Sequence, residues 1–221
     1  MNTVNKLSLM SACVGMCAAG SLAGVVFDTF DADPGSAGLG DRDYGSSITS
    51  DPFGQGGNFT LDTAFASGAD TGAMFFNSGI GAEQNAWISY SNAGTGLDLD
   101  AGSMGLTHFE LDFLLADQGS TVSIVLSTYD EFGASIGEAI LDVLVPAGAG
   151  TTASWAMADF TESFGSFDAS NIDEISISFN GGQSPTASLD FVATEFRGVV
   201  PTPGTYALIG LGSFFTIRRK R

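Results

Sequence analysis

From residue 107 onward, apolar side chains recur at every second position and polar ones fill the places between. In Thr107-His108-Phe109-Glu110-Leu111-Asp112-Phe113-Leu114-Leu115, the apolar set is Phe109, Leu111, Phe113 and Leu115, while His108, Glu110 and Asp112 face the other way. A period of two is that of an extended strand with one buried face. Residues 120–129 repeat it, with Val122, Ile124 and Leu126 inward and Ser123 and Ser127 outward. Residues 138–145, 174–179 and 188–196 follow suit, and 25–30, 72–76 and 86–90 read as further strands. Turn clusters separate them, among them Gly54-Gln55-Gly56-Gly57, Asn92-Ala93-Gly94, Ala116-Asp117-Gln118-Gly119 and Asn180-Gly181-Gly182. No amphipathic helix of any length precedes the C-terminal tail, there is no internal repeat, and residues 34–57 are rich in glycine. The pattern predicts an all-β fold: two antiparallel sheets packed face to face as a jelly-roll β-sandwich.

Both ends depart from this pattern. Lys6 is followed by a mostly apolar run to Gly20, and Ser21-Leu22-Ala23 places small residues at the two positions a signal peptidase reads. Residues 1–23 therefore predict a secretory signal peptide with cleavage after Ala23; Met10-Ser11-Ala12-Cys13 leaves a lipoprotein signal open. The chain's two cysteines, Cys13 and Cys17, both lie in this leader. The predicted exported body, residues 24–199, then has neither disulfide nor thiolate metal site.

The other end carries Val200-Pro201-Thr202-Pro203-Gly204, an apolar segment through Ile217, and Arg218-Arg219-Lys220-Arg221. A helix over 204–217 would measure about 21 Å, short of the roughly 30 Å hydrocarbon core, so it would grip a bilayer only marginally. The terminal cations would stay cytoplasmic, with everything before Pro201 on the far side. Residues 200–221 resemble the PEP-CTERM sorting signal of Gram-negative bacteria, with Thr202 where the family's motif has an acid. The resemblance implies handling by signal peptidase and an exosortase-like enzyme. It also implies an inner-membrane-tethered precursor and a mature protein in the envelope or extracellular matrix. Whether the short helix is removed or kept as an anchor stays open.

Charge narrows the choice of partner. Residues 24–200 hold all 25 acids and, as cations, only Arg42 and Arg197, a net charge of −23. Phosphate binding needs clustered cations, so nucleic acid is excluded as a ligand. The same field repels anionic lipid and acidic polysaccharide unless divalent cations bridge them. Nor do the residues assemble a catalytic site. Glu110 and Asp112 share a strand face, but Leu114 and Leu115 stand where a retaining glycosidase of this layout would need its acid/base. His108 is the one histidine and has no nucleophile motif near it. The expectation is a protein without enzymatic activity.

Trp155-Ala156-Met157-Ala158-Asp159-Phe160-Thr161, Phe167-Asp168, Ile175-Ser176-Ile177-Ser178-Phe179 and Ser188-Leu189-Asp190-Phe191 resemble the last strands of galactose-binding-like and carbohydrate-binding-module jelly rolls. That resemblance implies one structural calcium between the first and last strands, drawing on Asp28 or Asp31 with Asp190. The stretches Asp31-Ala32-Asp33-Pro34-Gly35 and Asp98-Leu99-Asp100-Ala101-Gly102 begin like calcium loops but lack the third ligand and the closing glutamate. Sugar recognition uses aromatic platforms, for which Trp87, Tyr90, Tyr129 and Trp155 are the candidates. The main expectation is an exported, non-catalytic surface or matrix protein. The alternative is a carbohydrate-binding module with a defined glycan site, which exposed aromatics gathered on one face would favour.

Overall fold

The computed structural model describes residues 23–30, 39, 41–62, 72–91, 96–181 and 185–201. Most of the predicted leader, Asp31, and the sorting segment from Thr202 onward lie outside the described residues. The strands are β1 (Ala23–Asp28), β2 (Asp41–Ser50), β3 (Asn58–Asp62), β4 (Ala73–Asn77), β5 (Glu83–Ser91), β6 (His108–Ala116), β7 (Ser120–Tyr129), β8 (Ser135–Val145), β9 (Gly148–Ala156), β10 (Thr161–Gly165), β11 (Glu174–Phe179) and β12 (Asp190–Val200). A short α-helix, α1 (Ala101–Met104), is capped by the Asp100 side chain at its start and by Gly105, at φ 67°, at its end, and a 3-10 turn spans Met157–Asp159. No helix among the described residues is long and apolar enough to cross a membrane.

The strands form two six-stranded antiparallel sheets. The first runs β3-β4-β12-β6-β9, and β1 joins it by pairing with the second half of β12, whose first half pairs with β4. The second runs β10-β8-β7-β11-β5-β2. Alternation explains which faces meet. Phe109, Leu111 and Phe113 of β6 turn inward, as do Val122, Ile124 and Leu126 of β7 and Ile175, Ile177 and Phe179 of β11, and all are buried. Aromatic rings bind the sheets together: Phe191 of β12 stacks on Phe76 at 5.0 Å and meets Phe179 of the opposite sheet at 5.1 Å. Tyr90 of β5 stacks on Phe196 of β12 at 5.5 Å. Pairs of this kind add about 0.5–1.5 kcal/mol each beyond the area they bury. The predicted all-β sandwich is the observed architecture.

Local departures from the predicted pattern have definite causes. Leu115 is 47% exposed, whereas Ala116 is buried. Pairing with β12 passes from Phe113 opposite Ala193 to Leu115 opposite Val192, so Leu114 is an extra residue that inverts the alternation. Ser127 keeps its outward parity yet is buried. Tyr129, two residues on, leans back to Glu174, the residue opposite Ser127. Four strands escaped the sequence reading: β2, β3, β9 and β10. Among them β10 is exposed throughout and β2 almost so, which leaves little apolar alternation to detect.

Candidate functional site

A side chain on the second sheet faces solvent when its neighbours along the strand face the core. In β5, Ala86, Ile88 and Tyr90 are buried, which turns Trp87 outward, and it is 39% exposed. Opposite Trp87 on one side stands Gly45 of β2 and on the other Ser178 of β11. The indole lies across the place a Gly45 side chain would fill: a Cβ there would come within 2.9 Å of the ring's Cζ2. Glycine thus lets the ring lie down on the sheet and leaves its other face open.

The line through Trp87 continues with Ser178, Ser123 of β7 and Asp142 of β8. Two residues along the strands a parallel line reads Asp43, Ser89, Ser176, Val125 and Ile140. Among the described residues, the hydroxyls of Ser89, Ser123, Ser176 and Ser178 have no hydrogen-bond partner in the protein. Hydroxyls on a flat floor can both donate and accept. Chemically the face offers one apolar plate beside a row of small neutral hydrogen-bonding groups.

Tyr129 closes the same face at one end. Its hydroxyl donates a short hydrogen bond to the Glu174 carboxylate. Burial, and then that carboxylate, push the phenol well above its ordinary pKa, so it remains a donor. Ser178, opposite Trp87, and Glu174 are four residues apart on β11, about 13 Å, and the strands carrying Trp87 and Tyr129 flank β11 about 10 Å apart. Beyond Tyr129 opens a pocket of about 480 Å³ walled by Asp98, Asp130, Glu131, Asn171 and Asp173.

The structure separates the four candidate platforms. Trp87 and Tyr129 share the outer face of the second sheet. Tyr90 and Trp155 do not: both are 0% exposed, inside the core. Tyr90 donates to Asp28 Oδ2 at 3.0 Å, and Trp155 Nε1 donates to the carbonyl of Val122 on the opposite sheet at 3.3 Å. Each is an aromatic with a polar edge that found its partner indoors.

The calcium candidates are separated as well. Asp28 sits opposite Phe196 on β12, six residues from Asp190, which puts the two about 20 Å apart. Asp28 is buried and committed: it accepts from Phe30 N at 2.7 Å, from Arg42 Nη1 at 2.8 Å and from Tyr90. Asp190 stands beside a smaller pocket with Asn77 and Ser188. Burial, and then the charge of Asp117, raise its pKa. Asp98 faces the acidic pocket while Asp100 caps α1. No three acidic, histidine or cysteine side chains converge as a metal cage among the described residues.

The outer face of the first sheet is occupied by an ion-pair cluster. Arg197 of β12 donates to Glu110 at 2.6 Å, to Glu195 at 2.9 Å and, more closely still, to Asp112. The bond to Asp112, followed by those to Glu195 and Glu110, raises the guanidinium pKa further. His108 Nε2 lies 3.1 Å from Glu110 and its Nδ1 2.9 Å from Thr107 Oγ1. The two carboxylates of Glu110 and Asp112 are thus held by one cation. Of the expected sorting residues, Val200 ends β12 opposite Ala23 at the start of β1, and Pro201 follows it.

No protein-family model matches the chain, and no curated protein is similar to it in sequence. Solved structures are similar in fold. One is the family 11 carbohydrate-binding module from Clostridium thermocellum in complex with a beta-1,3-1,4-mixed-linked tetrasaccharide. It has a TM-score of 0.51 at 12% identity over 80% of this chain and 95% of that one. Another is the family 11 module of a cellulosomal cellulase of the same organism, with a TM-score of 0.50 at 12% identity over 82% of this chain and 96% of that one. At this identity, what the likeness establishes is the jelly-roll sandwich fold alone.

Proposed function

We propose that this protein is a non-catalytic carbohydrate-binding module whose glycan site is the outer face of the second sheet, with Trp87 as its stacking platform. One observation carries the reading: the Trp87 indole lies flat over Gly45 with one face open, beside serine hydroxyls without protein partners. Pyranose rings present an apolar face to such a plate and hydroxyls to such a floor. The jelly-roll likeness to carbohydrate-binding modules supports the same class of ligand. The leader-like residues 1–23 and the sorting-tail resemblance of residues 200–221 support an exported protein in this reading, for which an extracellular polysaccharide is the natural partner.

Affinity electrophoresis through gels containing soluble neutral glucans tests the binding. The native protein is expected to be retarded by at least one of them. Trp87→Ala is expected to weaken that binding roughly thirtyfold, the scale of a central aromatic anchor, with its melting temperature unchanged. Unaltered retardation of Trp87→Ala, or none for the native protein on any polysaccharide, removes the reading.

A further inference from the structure

Resting on the reading of the Trp87 face as a glycan platform, we propose that its preferred ligand is a polysaccharide bearing free amino groups, a polymer of deacetylated amino sugars, and that uronic-acid polymers are excluded. The argument is one of charge placed around an aromatic plate. The domain has two cations to place. Arg42 is buried against Asp28, and Arg197 lies on the opposite sheet among Glu110, Asp112 and Glu195. Neither reaches the Trp87 face.

Acids do reach it. Asp43 is in the line beside the indole, two residues along the strands and about 7 Å away; Asp142 ends the indole's own line, three strands or about 14 Å away. Glu174 stands at the Tyr129 end, where the pocket adds Asp98, Asp130, Glu131 and Asp173. A carboxylate-bearing sugar would meet repulsion from Asp43 beside the indole and, at low salt, from Asp142 and the acids at the Tyr129 end. An ammonium group gains twice, from the acids and from the negative face of the indole, a cation–π contact. The hydroxyl floor remains neutral and accepts from ammonium as readily as it serves a sugar hydroxyl. Asp43 lies within the roughly 8 Å screening length of physiological salt and Asp142 outside it, so added salt erodes the preference without removing the stacking.

The test titrates the full chain with oligosaccharides of equal length in three forms: glucosamine, N-acetylglucosamine and galacturonate. Tryptophan fluorescence is the readout. Trp87 and Trp155 are the chain's tryptophans, and with Trp155 buried the ligand-induced change reports on Trp87. The glucosamine oligomer is expected to bind about tenfold more tightly than its acetylated twin at low salt, the sum of a few surface charge pairs. That advantage shrinks in high salt and narrows in Asp43→Asn, Trp87→Ala weakens binding of both glucosamine forms roughly thirtyfold, and galacturonate gives no signal. Equal affinity for the acetylated and free-amine forms, binding of galacturonate, or undiminished amine binding by Trp87→Ala, measured by calorimetry, each overturns the inference. If neutral glucans still bind through Trp87 in those cases, the glycan site stands and only its charge preference falls. If none of the oligomers and no neutral glucan binds, both fall together.

Discussion

At the scale of single residues, the site depends on what Gly45 lacks. A Cβ there would press on the indole at 2.9 Å, a distance at which the ring must move. Gly45→Val is expected to suit an extended strand at least as well as glycine does, so the melting temperature should hold or rise while glycan affinity falls about tenfold. Loss of stability in step with affinity would instead make Gly45 a folding residue. Sequence parity carried the information that Trp87 faces out, since Ala86, Ile88 and Tyr90 alternate with it as an apolar series. The same parity placed Tyr90 among the buried positions of that strand, against its candidacy as a platform. Gly45 and the free serines were not legible. Their meaning arises from cross-strand register between segments more than 130 residues apart in sequence, as Gly45 and Ser178 are on the two sides of Trp87.

Among the elements, β6 shows how a local irregularity defeats pattern reading. Its run of alternating residues ends in two adjacent leucines, so nothing in the composition marks where the alternation breaks. The bulge at Leu114 becomes visible only against β12. The structure predicts a sharp contrast. Phe113→Ser, placing a hydroxyl at a buried position, is expected to cost about 3–5 kcal/mol, whereas Leu115→Ser at an exposed one should stay within about 0.5 kcal/mol. Chemical denaturation of the two variants checks it, and equal losses would mean that Leu115 packs inward after all. The edge strand β2 was hidden for another reason. On its inward parity stand Arg42, Tyr44, Ser46 and Ile48; Tyr44 and Ile48 remain exposed, and the side chain it buries is that of Arg42, which meets Asp28. A strand that buries an ion pair does not look like a strand by hydrophobicity.

For the molecule as a whole, that ion pair is the polar bolt between the layers. Asp28 belongs to the first sheet, Arg42 and Tyr90 to the second, and the carboxylate joins all three. Burial and the neighbouring Asp28 charge hold the Tyr90 phenol well above its ordinary pKa, which keeps its proton on the bond. Asp28→Ala removes the carboxylate from a buried ion pair and is expected to cost about 3–5 kcal/mol; replacing Asp28 and Arg42 together by apolar residues of similar size should recover most of it. Urea unfolding of the single and double variants measures both, and a double variant no better than the single would show that the bolt does more than satisfy itself. The sandwich itself followed from alternation in β6, β7, β8 and β11. The division of labour between its faces did not, because it depends on where two arginines settle among many acids.

One pairing at the rim of the first sheet brings the two ends of the sandwich together. Ala23 and Val200 are partners across β1 and β12, so the polypeptide enters and leaves the sandwich side by side. A tether grafted directly at Ala23 and another grafted directly at Val200 would therefore leave the first sheet from neighbouring points on one edge.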